Sequence, residues 1–147
     1  MAIPRTDQRD GVRRHDEVVG YLLKHAHLEL ERRTDEALAP LGLTSRELGV
    51  LRVIVGGAAR SQQETATLLG VDRTSMVAVV DALERMGAVA RRPSDEDRRR
   101  NVLEATADGR ALFRRAEDVS LAVERDFTAA LGGAGAAELR AALRALL

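Results

Sequence analysis

"QQETATLLGVDRTSMVAVVDAL", residues Gln62 to Leu83, places a small residue at Ala66, a glycine at Gly70 and apolar residues at Met76 and Val79. A small side chain at Ala66 lets two helices approach closely. Gly70 permits a left-handed turn between them, and Met76 and Val79 pack the second helix onto the first. This is the spacing of a helix-turn-helix. Alanine and glycine four apart also occur by chance, so the flanking residues must agree. They do: Asp72 is a suitable N-cap for a second helix reaching about Met86, and Gly87 closes it. Its inward stripe is Met76, Val79, Val80, Leu83 and Met86, with Arg73, Thr74, Val77, Ala78 and Asp81 opposite. That outward face suits a major groove. Small residues admit the helix, while Arg73, Thr74 and Ser75 reach base edges or phosphates. A merely solvated face would carry more Glu and Lys.

Outward from this unit, Ala88–Arg92 ("AVARR") and Asn101–Ala105 ("NVLEA") read as two short strands around the charged run "PSDEDRRR". A hairpin directly after a helix-turn-helix is a wing, whose tip meets the adjacent minor groove, where the narrow negative environment attracts an inserted arginine. The acids of the run are expected to pair with its arginines, or with Arg91 and Arg92, and so stiffen the loop. Upstream, Thr44 and Glu47 stand in capping-box spacing before a helix with Leu48, Leu51 and Val55 on one face, and Gly56-Gly57 stops it. Ser61 and Glu64 repeat that signal. The ends of the chain read as helices. Residues Val12 to Leu38 keep a helical period through Val18, Leu22, Ala26 and Leu30 until Pro40 and Gly42. At about 40 Å such a helix is too long for its own chain to bury, so a partner subunit is expected. Thr106 opens another helix to about Leu131, with Leu112, Ala116, Val119, Val123 and Phe127 inward. "GGAG" is expected to break it, and Ala136–Leu147 to form the last helix, with Leu139, Leu143 and Leu146 on one face.

Composition bounds the function. With 147 residues and 45% apolar content the chain can build one core, and with only 2% aromatics that core rests on Leu, Val, Ala and Met. There is no cysteine, which removes disulfides and thiol chemistry. No Gly-rich phosphate loop or nucleophile motif points to an enzyme, and the adjacent carboxylates of Asp95-Glu96-Asp97 do not converge on one ion without a special turn. No cofactor is implied. Nothing approaches a membrane span or signal peptide, so a cytoplasmic protein with no membrane partner is expected. Net charge is zero, without the usual basic excess of nucleic-acid binders; yet all basic residues but Lys24 are arginine. GC-rich codon bias explains that abundance as readily as phosphate binding does, so position has to decide.

The stretch from Ser61 to Leu112, with Asp97-x-Arg99, a strand and then Thr106-x-x-Gly109, resembles the MarR family of bacterial winged-helix regulators, and "APLGLTSRELGVLRVI" (Ala39–Ile54) extends the resemblance across nearly the whole chain. One departure is Ala105, where the family usually carries Leu; the smaller side chain should cost packing but not the fold. The resemblance implies a mostly α winged helix-turn-helix with a small β-hairpin wing, in an intertwined homodimer. Residues 1–40 would form an N-terminal dimerisation helix, 41–106 the DNA-binding domain, and 107–147 C-terminal dimerisation helices. It implies double-stranded DNA as partner, a palindromic operator read by two recognition helices about one turn apart, Arg99 (beside Arg98) in the minor groove, Asp97 orienting the wing, and Gln62 and Gln63 near phosphate. Repression is the family's commoner sign, though activation depends on where the operator lies.

Members of the family typically release DNA when a small, often aromatic, effector binds between the dimer helices and the winged domain. Tyr21, His25, Arg52 and Phe113 are the candidates for such a site. The plainer reading, which weighs more, puts Tyr21 and Phe113 in the core and His25 and His27 on the surface. Metal sensing would need a His and carboxylate cluster, and the only histidines, His15, His25 and His27, sit on the first helix with the last two on different faces. The rival function is a winged-helix adaptor that binds another protein, which would more often show an apolar patch where this chain has arginines.

Overall fold

The computed structural model describes residues 13–57 and 61–147. A 3-10 turn at His15–Glu17 precedes α1 (Val19–Leu38), and α2 (Ser45–Gly56), α3 (Gln62–Leu69), α4 (Arg73–Arg85), β1 (Val89–Pro93), β2 (Asn101–Ala105), α5 (Ala107–Thr128) and α6 (Gly132–Leu146) follow. The expected capping boxes set the first turns of α2 and α3. The Thr44 N–H donates to Glu47 Oε2 at 2.8 Å and the Glu47 N–H to Thr44 Oγ1 at 3.2 Å. Ser61 and Glu64 reciprocate in the same way at 2.8 and 3.1 Å. Each box satisfies two otherwise orphaned N–H groups.

The core lies where α2, α4, α5 and the hairpin meet. Leu38, Leu48, Val50, Leu51, Met76, Val80, Leu83 and Ala116 are fully buried in it, joined by Leu43, Ala88, Val89 and Leu103. The stripe expected on α4 is buried at Met76, Val79, Val80 and Leu83 but ends there, since Met86 is exposed. Helix α2 is buried more widely than one face, because Val50 and Ile54 are covered too. In α3 the fully buried residue is Thr65, which hides a hydroxyl by donating it to the Ser61 carbonyl at 2.9 Å; Leu68 and Leu69 remain exposed.

The hairpin is antiparallel, from Val89 opposite Ala105 to Pro93 opposite Asn101, and Ser61 adds an isolated bridge to Val102. Its base is sewn to α5. Thr106 caps that helix by accepting the Gly109 N–H at 2.9 Å, donates its hydroxyl to the Gly87 carbonyl at 2.6 Å, and its N–H bonds the Ala88 carbonyl at 3.0 Å. Gly109 is buried at this crossing. A Cβ there would lie 1.9 Å from the Ala88 carbonyl oxygen, so the Thr-x-x-Gly pattern is a steric demand. Ala105, the departure from the family pattern, is partly buried against the core.

Two expectations about the ends of the chain need correction. Helix α1 begins at Val19, because the 3-10 turn and an extended Val18 (φ −84°, ψ 124°) interrupt the period; Val12 lies outside the described residues. "GGAG" does break the helix, at Gly132 (φ 69°, ψ 170°), but α6 begins there and not at Ala136, so the remaining glycines form its first turn. That helix buries only Ala136, and Leu139 and Leu146 are exposed. Leu22, Leu23 and Leu28 on α1 and Leu121 on α5 are exposed as well, so the apolar faces of the end helices are not covered by this chain.

Candidate nucleic-acid interface

Gly70 adopts φ 62°, and the Val71 N–H returns to the Ala66 carbonyl at 3.0 Å, which turns the chain from α3 into α4. Asp72 then caps α4: its carboxylate accepts the Ser75 N–H at 2.9 Å and the Ser75 hydroxyl at 2.6 Å. Those bonds, the hydroxyl first, hold the Asp72 carboxyl below the usual carboxylate range. They also fix what Ser75 can do. Its hydroxyl proton is spent on Asp72, so toward any ligand its oxygen can only accept.

Arg73, Thr74, Val77 and Ala78 are exposed on α4. Gln62, Gln63 and Arg73 line one groove of about 500 Å³ between α3 and α4, so three of the residues expected to meet DNA share a surface. Gln62 is engaged within the protein: its Oε1 accepts from Arg91 at 3.1 Å, leaving the amide N–H groups to donate outward.

The wing is held by turn chemistry and not by the ion pairs expected for it. Asp97 Oδ1 accepts the Arg99 N–H at 3.0 Å, its carbonyl accepts the Arg100 N–H at 2.9 Å, and the Ser94 N–H closes the loop on the Arg100 carbonyl at 2.8 Å. Asp97 makes a local backbone bond typical of aspartate in turns. None of the ion pairs among the described residues involves Asp95, Glu96, Asp97, Arg98, Arg99 or Arg100. Short local bonds outcompete salt bridges that would have to immobilise long exposed side chains. Arg92 pairs instead with Glu104 across the hairpin at 2.9 Å, and Arg91 with Asp81 and Glu84 of α4. The three arginines at the tip are exposed, with their guanidiniums outside any ion pair of the described residues.

A second concavity, about 360 Å³ and open to solvent, lies between α1, α2 and α5, with His27, Thr34, Arg46, Arg52 and Ser120 among its walls. Of the four effector candidates only Arg52 lines it, held at 2.7 Å by Glu117. Tyr21 and His25 stack on each other on α1 with ring centres 4.0 Å apart, and Phe113 packs against the core. Arg46 was not singled out in the sequence and His27 only as a surface histidine; the packing of α1 over α2 brings them to one wall. Among the described residues no group of three or more His, Asp or Glu could hold a metal ion, and no helix is long and apolar enough to cross a membrane.

The sequence profile of the MarR family matches residues 41–100. The HTH-type transcriptional repressor Rv2887 of Mycobacterium tuberculosis is 38% identical over 109 residues, 74% of this chain and 78% of that protein. A Thauera aromatica protein named for regulation of the hcr operon is 38% identical over 93 residues, and the match spans only 56% of its length. Among solved structures, the repressor CouR bound to a 23-mer DNA duplex superposes with a TM-score of 0.83 at 35% identity, covering 89% of this chain and 93% of that one. Rv2887 in complex with DNA gives 0.75 at 35% identity, over 88% and 97%. CouR bound to p-coumaroyl-CoA gives 0.79 at 32%, over 90% and 93%. With its profile match, its fold and a repressor relative aligned over most of both chains, this chain belongs to the MarR family.

Proposed function

We propose that this chain is a homodimeric transcriptional repressor that reads a palindromic operator with α4 in the major groove and the β1–β2 wing in the minor groove, and that a small effector modulates its hold on DNA. The observation that carries this reading is the surface that α4 and the wing present together. The start of α4 is small, polar and exposed, the wing tip offers three arginines outside any ion pair, and both belong to the fold that CouR and Rv2887 use when solved on DNA. Arg73, Thr74, Val77 and Ala78 would face base edges or phosphates, with Ser75 as an acceptor at the helix start. Gln62 and Gln63 would donate to phosphate, and Arg98 and Arg99 would flank the minor groove with Asp97 holding the loop.

The exposed apolar faces of α1, α5 and α6 favour a second copy as their cover, with residues 1–40 and 107–147 as dimerisation segments around the DNA-binding residues 41–106. The concavity beside Arg52 is the candidate effector site. CouR, the relative solved with p-coumaroyl-CoA, makes an aromatic acyl group or its thioester the first class to try. Tyr21, His25 and Phe113 belong to that site only if the bound molecule or the second subunit reaches them.

The test is a fluorescence-anisotropy titration of the protein against the intergenic DNA beside its own gene and against a scrambled duplex, at fixed near-physiological salt. A preference of roughly a thousandfold is expected. Equal, weak binding to both, repeated with duplexes selected from a random library, would reject the reading in favour of a protein-binding adaptor.

A further inference from the structure

Resting on that proposed DNA-binding reading, we propose that Arg91 is the positioning residue that sets the wing against the recognition helix, so that one protomer presents both to the duplex in a fixed relation. Only Met86 to Ala88 separate the end of α4 from β1, with Gly87 in the left-handed conformation between them (φ 71°). The turn itself is fixed by backbone bonds, from the Gly87 N–H to the Glu84 carbonyl and from the Ala88 N–H to the Leu83 carbonyl, both at 2.9 Å. Arg91 ties the strand beyond it back to the helices. Its Nη1 donates to Glu84 Oε2, its Nη2 to Asp81 Oδ1 at 2.8 Å and to Gln62 Oε1 at 3.1 Å, and its backbone N–H to Glu84 Oε1 at 3.2 Å. One side chain thus joins β1, α4 and the start of α3.

The geometry needs an arginine. Asp81 and Glu84 are three residues apart, neighbours on one helix face and mutually repulsive. A planar guanidinium can satisfy both carboxylates and the glutamine oxygen at once, whereas a lysine ammonium is a single point charge on a flexible stem. At 27% side-chain exposure Arg91 is also the least exposed arginine in any ion pair of the described residues, so its bonds are less screened than those of the other paired arginines. Asp81, on the outward face of α4, is committed to this clamp and is not available to read bases.

The wild-type protein first selects a preferred duplex from a random-sequence library. Dissociation constants for that duplex and for a scrambled one are then measured for wild type, Arg91→Lys and Glu84→Gln, alongside thermal midpoint and dimer mass. For Arg91→Lys, which keeps the charge, a loss on the order of tenfold is expected on the selected duplex. The scrambled duplex, held by phosphate contacts, should change by less than about twofold. Glu84→Gln should show a smaller loss of the same selective kind, and it decides the matter if Arg91→Lys fails to fold. Wild-type affinity in the folded variants, or equal weakening on both duplexes, overturns the positioning role. A wild-type protein that selects no duplex rejects the DNA-binding reading and this proposal together, whereas selective wild-type binding with unaltered variants rejects the proposal alone.

Discussion

Replacing Gly109 with alanine should destabilise the protein far more than a single methyl group ordinarily does. The added Cβ would stand 1.9 Å from the Ala88 carbonyl oxygen, 2.7 Å from its carbon and 2.9 Å from its Cα. All three are backbone atoms, so no rotamer change relieves the clash. The first turn of α5 would have to retreat from β1 by more than an ångström. That movement strains both bonds by which Thr106 grips the hairpin base, to the Gly87 carbonyl at 2.6 Å and the Ala88 carbonyl at 3.0 Å. Two weakened hydrogen bonds of about 1 kcal/mol each and an overpacking cost of roughly 1–3 kcal/mol oppose a gain of about 1 kcal/mol from alanine's better helix propensity. The net loss is roughly 2–4 kcal/mol, or on the order of 4–16 °C in thermal midpoint for a domain of this size. Urea unfolding at fixed protein concentration should show a lower midpoint with an unchanged slope. Gly49→Ala is the control: it is helical, nothing lies within 4 Å of its added Cβ, and it should be neutral or stabilising. A Gly109→Ala midpoint at or above wild type would refute the steric account of the Thr-x-x-Gly pattern.

Further outcomes follow from the same geometry. Glu29, bonded first to Arg32 and then to Arg33, titrates at about 2 in the folded chain against 4.5 unperturbed; it contributes stability above pH 4.5 that disappears as pH falls toward 2, so Glu29→Gln should flatten the acid limb of the thermal midpoint curve between those values, and an unchanged limb refutes the assignment. Asp72→Ala removes the α4 cap and should lower stability by about 1 kcal/mol, measured by urea unfolding; an unchanged midpoint would mean the cap bonds do not hold. Arg99→Ala should weaken operator binding by more than about 1 kcal/mol with the dimer intact, and an unchanged dissociation constant would remove Arg99 from the interface. Deleting Gly132 onward should yield monomers or aggregates by light scattering; a stable dimer would show that α6 takes no part in association.

The parts of this fold that were legible in the sequence are those whose determinants lie within a few residues of each other. Both capping boxes, the Asp72 cap and the Gly70 turn were readable because donor and acceptor share one turn of chain. Arg91 was not. Its partners stand seven, ten and twenty-nine residues away, although the nearer acids at 95–97 looked like the obvious choice; of these, Asp97 bonds the Arg99 N–H of its own loop instead. The start of α1 was misplaced for a related reason: the apolar period runs on through Val18, but two adjacent β-branched residues favour the extended break seen there. The effector candidates rested on residue type alone, and type does not reveal that α1 and α2 bring His27, Arg46 and Arg52 to one wall while Tyr21 and His25 occupy each other.

Zero net charge becomes compatible with phosphate binding once pairing is considered instead of counts. Most of the acids with an assigned partner lie away from the proposed interface or are neutralised beside it: Glu29 and Glu36 by Arg32, Glu117 by Arg52, Glu124 by Arg140, Asp81 and Glu84 by Arg91, Glu104 by Arg92. What is left at the α4 start and the wing tip is Arg73, Arg98, Arg99 and Arg100 against Asp72, Asp95, Glu96 and Asp97, which still cancels on paper. Reach breaks the tie. Asp72 and Asp97 are short side chains bonded to N–H groups three and two residues on, so they sit close to the backbone. An arginine carries its charge several ångströms farther out, and at a Debye length near 8 Å that difference in depth decides which sign a phosphate meets first.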